Sequence, residues 1–403
     1  MPEIAREIAP PAAELSGATA IVGFGETDYA LDYATARGKR PGHEPPTAEE
    51  LLQRAFERAL TDAGLERRDI DGLVASSGFG ALDSQDAAKL LGLTPRYVGQ
   101  GEAMFAYLLP RVATAIASGR ADTVALVYVT VSRGIGRVFG GNTFLGGGRD
   151  SYYYYHPWGW SSQAAHWALM FRYYQSTFGA TEADLGSVAI TLRNYARLND
   201  NATMTDPLTI EDYLASRYVV KPLRLFDMCL VNDGACCLIL RRTDMATDMP
   251  HAPVLVSGWA DVEVPHSKLD YMVKDRLRTQ FQEAARLSLE MAGISLDDIG
   301  HFEGYDAASI HLVNQLEGYG FVEPGAGLEF CKEGQMWLGG RLPTNTNGGM
   351  LSGAYMTGWN NFIEGVRQLR HEAGARQVDG VMHSLCSVAT TESAHPIVLS
   401  RGT

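Results

Sequence analysis

The sequence predicts an α/β fold built from two similar halves, with one long insertion in the first. Three observations predict it. A helix–glycine–strand unit recurs: AFERALTDAGLERRDIDGLVAS at 55–76 and AARLSLEMAGISLDDIGHFEGY at 284–305 place their Ala-Gly and Asp-Ile pairs at one offset of 229. Apolar strand-like runs alternate with amphipathic helical ones in both halves. The stretch from about Val131 to Leu225 has no counterpart in the second half. A duplication of this size describes two large α/β units rather than a solenoid of small repeats.

Taken in order, ATAIVGFGETDYA at 18–30 reads as a β-rich run closed by glycines, and GHEPPT as a linker. A helix is predicted over about Ala48–Ala63, with Leu51, Leu52, Ala55 and Leu60 on one face. Gly64 is placed to end it. DIDGLVASSG reads as a buried strand, 102–119 as a helix and TVALVYVT at 123–130 as a strand. The insertion carries a Gly- and Tyr-rich loop (GGNTFLGGGRDSYYYYHPWGW), then helices near 161–179 and 182–199. Such loops commonly shape substrate pockets. Tyrosines 152–155 fit a lid or an interface. GACCLILRR near 234–242 closes the first half. In the second half a helix is expected over 352–374, a strand over 378–386 and a last strand over 395–401. The halves are set at 1–245, insertion included, and 250–403.

Composition narrows the function. A net charge of -13 on 403 residues excludes general nucleic-acid binding, which needs a basic surface, and disfavours anionic membranes. No stretch approaches the roughly 20 apolar residues of a membrane span, and the N-terminus lacks a signal-peptide core. A cytoplasmic protein is expected. Five cysteines without CxxC spacing fit a reducing compartment and suggest neither a metal site nor a disulfide framework. The GFG at 23–25 and GGG at 146–148 belong to no Walker or dinucleotide pattern. His156, His166 and His383 receive no role.

Four motifs carry a resemblance. LVNDGACCLIL at 230–240 resembles the "DGA" strand of thiolases, and TNTNGGMLSGAYMTG at 344–358 their "N-x-H-G-G" and "G-H-P" motifs. LCSVATTES at 385–393 lies where thiolases carry "C-x-G", and GYDAAS at 304–309 where they carry "N-E-A-F". The pattern at 209–227 is similar to the sterol-carrier-protein-x thiolase and lipid-transfer-protein branch. The resemblance spans essentially the whole chain. It implies the thiolase fold, a five-layered α-β-α-β-α arrangement of the two halves, and a homodimer.

The departures from that pattern redirect the chemistry. Glu102 stands at or beside the position of the thiolase nucleophile, and no cysteine precedes Cys229. An acyl-enzyme needs a thiolate, so ordinary thiolysis is not expected. Asn347, Tyr355 and Tyr305 replace two histidines and an asparagine of the motifs, while Cys386 stays where thiolases keep an acid–base cysteine. This combination resembles the steroid side-chain-cleaving aldolases, which implies retro-aldol cleavage of a β-hydroxyacyl-coenzyme A by Tyr305 and Tyr355. It also implies a small OB-fold partner with a zinc ribbon, and no cofactor beyond the substrate's own coenzyme A.

Retro-aldol cleavage requires a base for the β-hydroxyl proton, stabilisation of an enolate oxygen and reprotonation of carbon. A tyrosine base at pH 7 needs a lowered pKa or a relay, because its ordinary value is about 10. Asp306, Cys386 and the second tyrosine are candidate relays. Asn347 with Gly348 and Gly349 would supply oxyanion donors, and Glu102 a polar group of the pocket. Two other readings stay open: a degenerate thiolase or acyltransferase using Cys386, and a non-catalytic acyl-coenzyme A or sterol-binding subunit.

Overall fold

The structure, a computed structural model, describes residues 13–76, 81–101, 104–136, 156–158, 162–263, 276–389 and 393–402. The first half runs β1 (Thr19–Glu26), α1 (Tyr29–Ala36), α2 (Ala48–Ala63), β2 (Gly72–Ser76), α3 (Ser84–Leu90), β3 (Tyr97–Gly101), α4 (Phe105–Ala117) and β4 (Thr123–Val131). The insertion supplies α5 (Gln163–Phe178), α6 (Glu182–Ala196), α7 (Ile210–Ala215), β5 (Tyr218–Val220) and β6 (Leu223–Arg224). Strand β7 (Asp233–Arg242) closes this half. The second half runs β8 (Val254–Trp259), β9 (Val262–Glu263), α8 (Arg276–Ala292), β10 (His301–Glu303), α9 (Ser309–Gly318), α10 (Gly327–Lys332), α11 (Trp359–Leu369), β11 (His383–Ala389) and β12 (Ser393–Arg401).

The repeat seen in the sequence is a repeat in space. Thr47 and Glu50 close α2 with a capping box, and Gly64 ends it in the left-handed conformation at φ 64°. A single 3-10 turn at Arg67–Asp69 then leads into β2. Gly293, at φ 68°, and the turn Leu296–Asp298 repeat this before β10. Gly25 of β1 and Gly258 of β8 leave no room for a Cβ against the backbones of α2 and α8. Each outer helix can therefore lie flat on its strand.

Ten strands form one sheet in the order β10-β11-β12-β8-β1-β7-β4-β2-β3, with β9 on β12, and β5 and β6 pair separately. Equivalent strands of the two halves follow in the same order outward from the β1–β8 junction, where Ala20 faces Leu255 and Ile21 faces Val254. Alternate strand residues point to opposite layers. On β7, Cys237 and Ile239 join the α2 core, whereas Leu238 and Leu240 join α4 and α11. That central cluster also takes Val388, Ile397 and Leu399 from the second half. A third cluster packs α8, α9 and helices of the insertion on the far face of β11 and β12. With the β1 half and the β8 half of the sheet taken as separate layers, the order α2, β, α4 with α11, β, α8 gives the five layers.

Several boundaries differ from expectation. The helix predicted from 352 begins only at Trp359; Gly349–Gly353 form a single π turn and Ala354 is extended. The strand expected over 378–386 runs from His383 to Ala389. Residues 102 and 103, tyrosines 152–155 and the glycine run at 146–148 lie outside the described residues. No helix among the described residues is long and apolar enough to cross a membrane.

Candidate active site

Two loops meet over the central layer. One leaves β10 and carries Tyr305 and Asp306; the other runs from Asn345 to Gly358 and enters α11. Asp306 holds them together. Its carboxylate accepts from the N–H groups of Met350 (2.7 Å) and Leu351 (3.1 Å), and its other oxygen from Asn361 Nδ2 (3.0 Å). Those donors are the first free N–H groups of the π turn, so Asp306 satisfies a helical terminus from outside. Burial pushes its carboxyl up to about 6, against three hydrogen bonds that favour the ionised form.

Tyr305 and Tyr355 come together. The Tyr305 phenol is buried and shares a side-chain hydrogen bond with Tyr355, which keeps partial exposure. Burial first, then Tyr355, holds the Tyr305 pKa well above its ordinary value. A hydrogen bond raises a phenol's pKa in this way when that phenol is the donor. The Tyr355 backbone is fixed from the first half, its N–H donating to Asn232 Oδ1 at 3.0 Å. Gly358, at φ 87°, would bring a Cβ within 3.3 Å of Tyr305 Cδ2. Glycine there admits the Tyr305 ring.

Three residues without an assigned role join the pair. Tyr128 of β4 shares a hydrogen bond with Thr357 Oγ1 (2.7 Å) and stacks on Trp359 at a centroid distance of 5.5 Å. Burial and then Tyr355 raise its pKa. Cys229 is tied to the Tyr305 loop by its N–H to Ala307 O (3.1 Å) and acts electrostatically on Tyr305. Burial, then Asp306, pushes its thiol up to about 12. His311 of α9 meets Tyr305 edge to face, with centroids 5.8 Å apart. A phenol within the apolar run of β4 is the signal that marks Tyr128; Cys229 and His311 follow only from the fold.

The remaining predicted residues lie differently. Asn347 Oδ1 accepts from Gly349 N–H at 2.6 Å, and Asn347 O accepts from Asn199 Nδ2 at 2.9 Å. The Gly348 N–H donates to Asn345 O at 3.0 Å. Of the expected oxyanion donors, the Gly348 and Gly349 N–H groups are engaged within the loop, and Asn347 Nδ2 donates to Asn361 Oδ1 of α11 at 3.4 Å. Gly348 (φ 94°) and Gly349 (φ 60°) serve conformation instead, because a Cβ would strike Ala196 and the Asp306 carboxylate respectively. Cys386 faces Gly365 of α11 and lies 3.8 Å from Ser384 Oγ. Burial, then Glu303, raises its pKa. Among the described residues its contacts are with Gly365, Ser384 and Glu303. Asp306 anchors the turn. Glu102 lies outside the described residues.

Below the pair, a buried ionic network fixes β10. Burial opposes it, yet Arg376 (3.1 and 3.0 Å) and Arg367 hold the Glu364 carboxyl at about 2. Glu303, raised by burial and then by Glu364, meets His301 Nε2 at 3.0 Å. Elsewhere Asp62, His251 and Glu372 bring ligand-type atoms within 4.8 Å, but Arg370 already pairs with Asp62 at 2.7 Å. The site itself therefore offers neutral phenols and a protonated thiol. It suits proton transfer between oxygen and carbon and not acyl transfer through a thiolate.

Comparison with known proteins agrees. The family described as thiolase C-terminal domain-like matches residues 263–401. A "steroid side-chain-cleaving aldolase" of Thermomonospora curvata is 32% identical, covering 88% of this chain and 91% of the relative. A "17-hydroxy-3-oxo-4-pregnene-20-carboxyl-CoA lyase" of Mycobacterium tuberculosis is 31% identical over 96% and 100%. The solved "Ltp2-ChsH2(DUF35) aldolase" superposes with a TM-score of 0.83 at 29% identity, covering 96% and 98%. The chain belongs to the thiolase superfamily, in its branch of steroid side-chain-cleaving aldolases. Its chemistry is that of a carbon–carbon lyase.

Proposed function

We propose that this chain cleaves the Cα–Cβ bond of a β-hydroxyacyl-coenzyme A, a steroid side-chain thioester being the favoured substrate. The products are a ketone or aldehyde and a shortened acyl-coenzyme A. The observation that carries the reading is the hydrogen-bonded Tyr305–Tyr355 pair beside a thiol kept neutral.

A base acting alone would need a lowered phenol pKa, and Tyr305 has the opposite shift. The pair resolves this by working as a shuttle. Tyr305 oxygen takes the β-hydroxyl proton as its own proton passes to Tyr355 oxygen, and Tyr355 delivers its proton to Cα. The Cα–Cβ electron pair becomes the enolate that Cα protonation quenches, while Cβ becomes a carbonyl. One proton leaves oxygen, one reaches carbon, and no charged tyrosine accumulates. No cofactor beyond the substrate's coenzyme A enters this scheme.

The solved complex pairs its aldolase with a DUF35 protein; we propose that this chain likewise works with a small partner, the OB-fold, zinc-ribbon protein that the family resemblance implies, and as a cytoplasmic homodimer. The test is incubation of the protein, alone and with that partner, with a panel of β-hydroxyacyl-coenzyme A thioesters. Release of ketone or aldehyde with equimolar shortened thioester is expected. Intact substrate throughout a steroid and short-chain panel with the partner present would sink the reading.

A further inference from the structure

His311 is an anomaly in the packing. All ten residues of α9 are buried, and the imidazole is 2% exposed with neither Nδ1 nor Nε2 hydrogen-bonded among the described residues. Leaving a buried polar group unsatisfied is costly, and native interiors rarely tolerate it without a reason. The ring is also held: Tyr305 meets it edge to face, and Trp167 of α5 stacks on it at 6.4 Å and 23°. One turn along the same face of α9, Asn314 Nδ2 is a second buried donor without a partner. Trp167, which stacks on the ring, and Tyr355, the partner of Tyr305, are both partly exposed.

We infer that His311 is a substrate-binding residue: its imidazole hydrogen-bonds the β-oxygen of the acyl thioester beside Tyr305. This rests on the retro-aldol reading. The β-oxygen is a hydroxyl in the substrate and a carbonyl in the product, and an imidazole can accept from the first or donate to the second. Burial keeps the ring neutral, with its pKa lowered to about 4, so it offers both roles at neutral pH. The bond satisfies a group left bare in the free protein, so the site selects acyl chains that carry oxygen at Cβ. A saturated chain leaves the imidazole unsatisfied and is discriminated against.

The test uses a Tyr305→Phe/Tyr355→Phe background that does not turn over, so affinity is read directly by titration calorimetry. Adding His311→Phe, which keeps a ring between Trp167 and Tyr305, is expected to weaken β-hydroxyacyl-coenzyme A binding about tenfold. Binding of the matching saturated acyl-coenzyme A should stay within twofold, and His311→Gln should recover part of the loss. The melting temperature of His311→Phe should hold or rise, since an orphaned polar group is removed. Unchanged β-hydroxyacyl affinity, or an equal loss for both ligands, overturns the inference. If the Phe variant does not fold, the Gln variant decides by the same ratio of affinities. A wild-type protein that cleaves nothing, with the tenfold ratio intact, removes the lyase reading and leaves the His311 assignment standing.

Discussion

A phenol raised above its ordinary pKa is a weak lone base but a good member of a proton shuttle, because it returns to its neutral form after each transfer. That is why Tyr305 and Tyr355 have to be considered together. Replacing either by Phe breaks the same relay, so Tyr305→Phe and Tyr355→Phe should each lower kcat by roughly 10²–10⁴. Groups acting as a unit are not additive. The double variant should therefore be no slower than the worse single one, with substrate affinity within about threefold; rates that multiply would show two independent roles. Cys229 offers the opposite test. With its thiol at about 12, it holds almost no thiolate at neutral pH. Cys229→Ala should keep turnover within tenfold, and mass spectrometry after acyl-coenzyme A trapping should find no acyl-cysteine. An acylated Cys229 or Cys386 would restore the thiolase-like alternative.

The turn from Gly348 to Gly358 is the element that converts a thiolase-like backbone into this site. A helix from Ser352 is what the sequence suggests, since SGAYMTGWNNFIEGVRQL contains a helical pattern. The chain instead leaves the helical path at Ala354, which is extended, and at Thr357 and Gly358, which take positive φ. Asp306 claims the Met350 and Leu351 N–H groups, and Tyr305 fills the space a side chain at 358 would occupy. The tyrosines were legible as motif replacements, as were the two halves and the Gly64 stop of α2, because each rests on local pattern. Asn347, Gly348, Gly349 and Cys386 were legible as positions but not as roles, because their partners lie on other loops. Asp306 gives this element a pH signature. Its folded pKa of about 6 lies above the unfolded value of 3.8, so the folded state binds the proton more tightly and loses stability as pH rises from about 4 to 6. Asp306→Asn should remove that loss. Denaturant titrations of the two proteins at pH 4.5, 5.5 and 6.5 should show the wild-type advantage shrinking as pH rises. A constant difference would mean that Asp306 titrates elsewhere. Gly358→Ala, which strains φ 87° and presses on Tyr305, should cost about 1–3 kcal/mol and also lower kcat.

At the scale of the molecule, the site exists only because the halves share a layer. Tyr128 and Cys229 come from the first half, Tyr305, His311 and Tyr355 from the second, and Asn232 ties the Tyr355 backbone across the two. The same sharing governs stability. α4 buries Phe105 against Trp359 and Phe362 of α11, and the cluster around them takes strand residues from both halves. Neither half covers this layer by itself, and the edge contact between β1 and β8 is only two residue pairs long. A chain of 403 residues with two duplicated halves would ordinarily be free to unfold in two steps. Here the loss of one half strips the apolar face from the other, so the two are coupled through area rather than through the strand junction. Thermal unfolding followed by far-ultraviolet circular dichroism and by tryptophan fluorescence should give coincident single transitions. Residues 250–403 expressed alone should lack a cooperative transition and bind a hydrophobic dye through the uncovered face of α11. Two separated transitions, or a second half that melts cooperatively by itself, would mean that the halves are independent domains and that the site is assembled by docking rather than by folding.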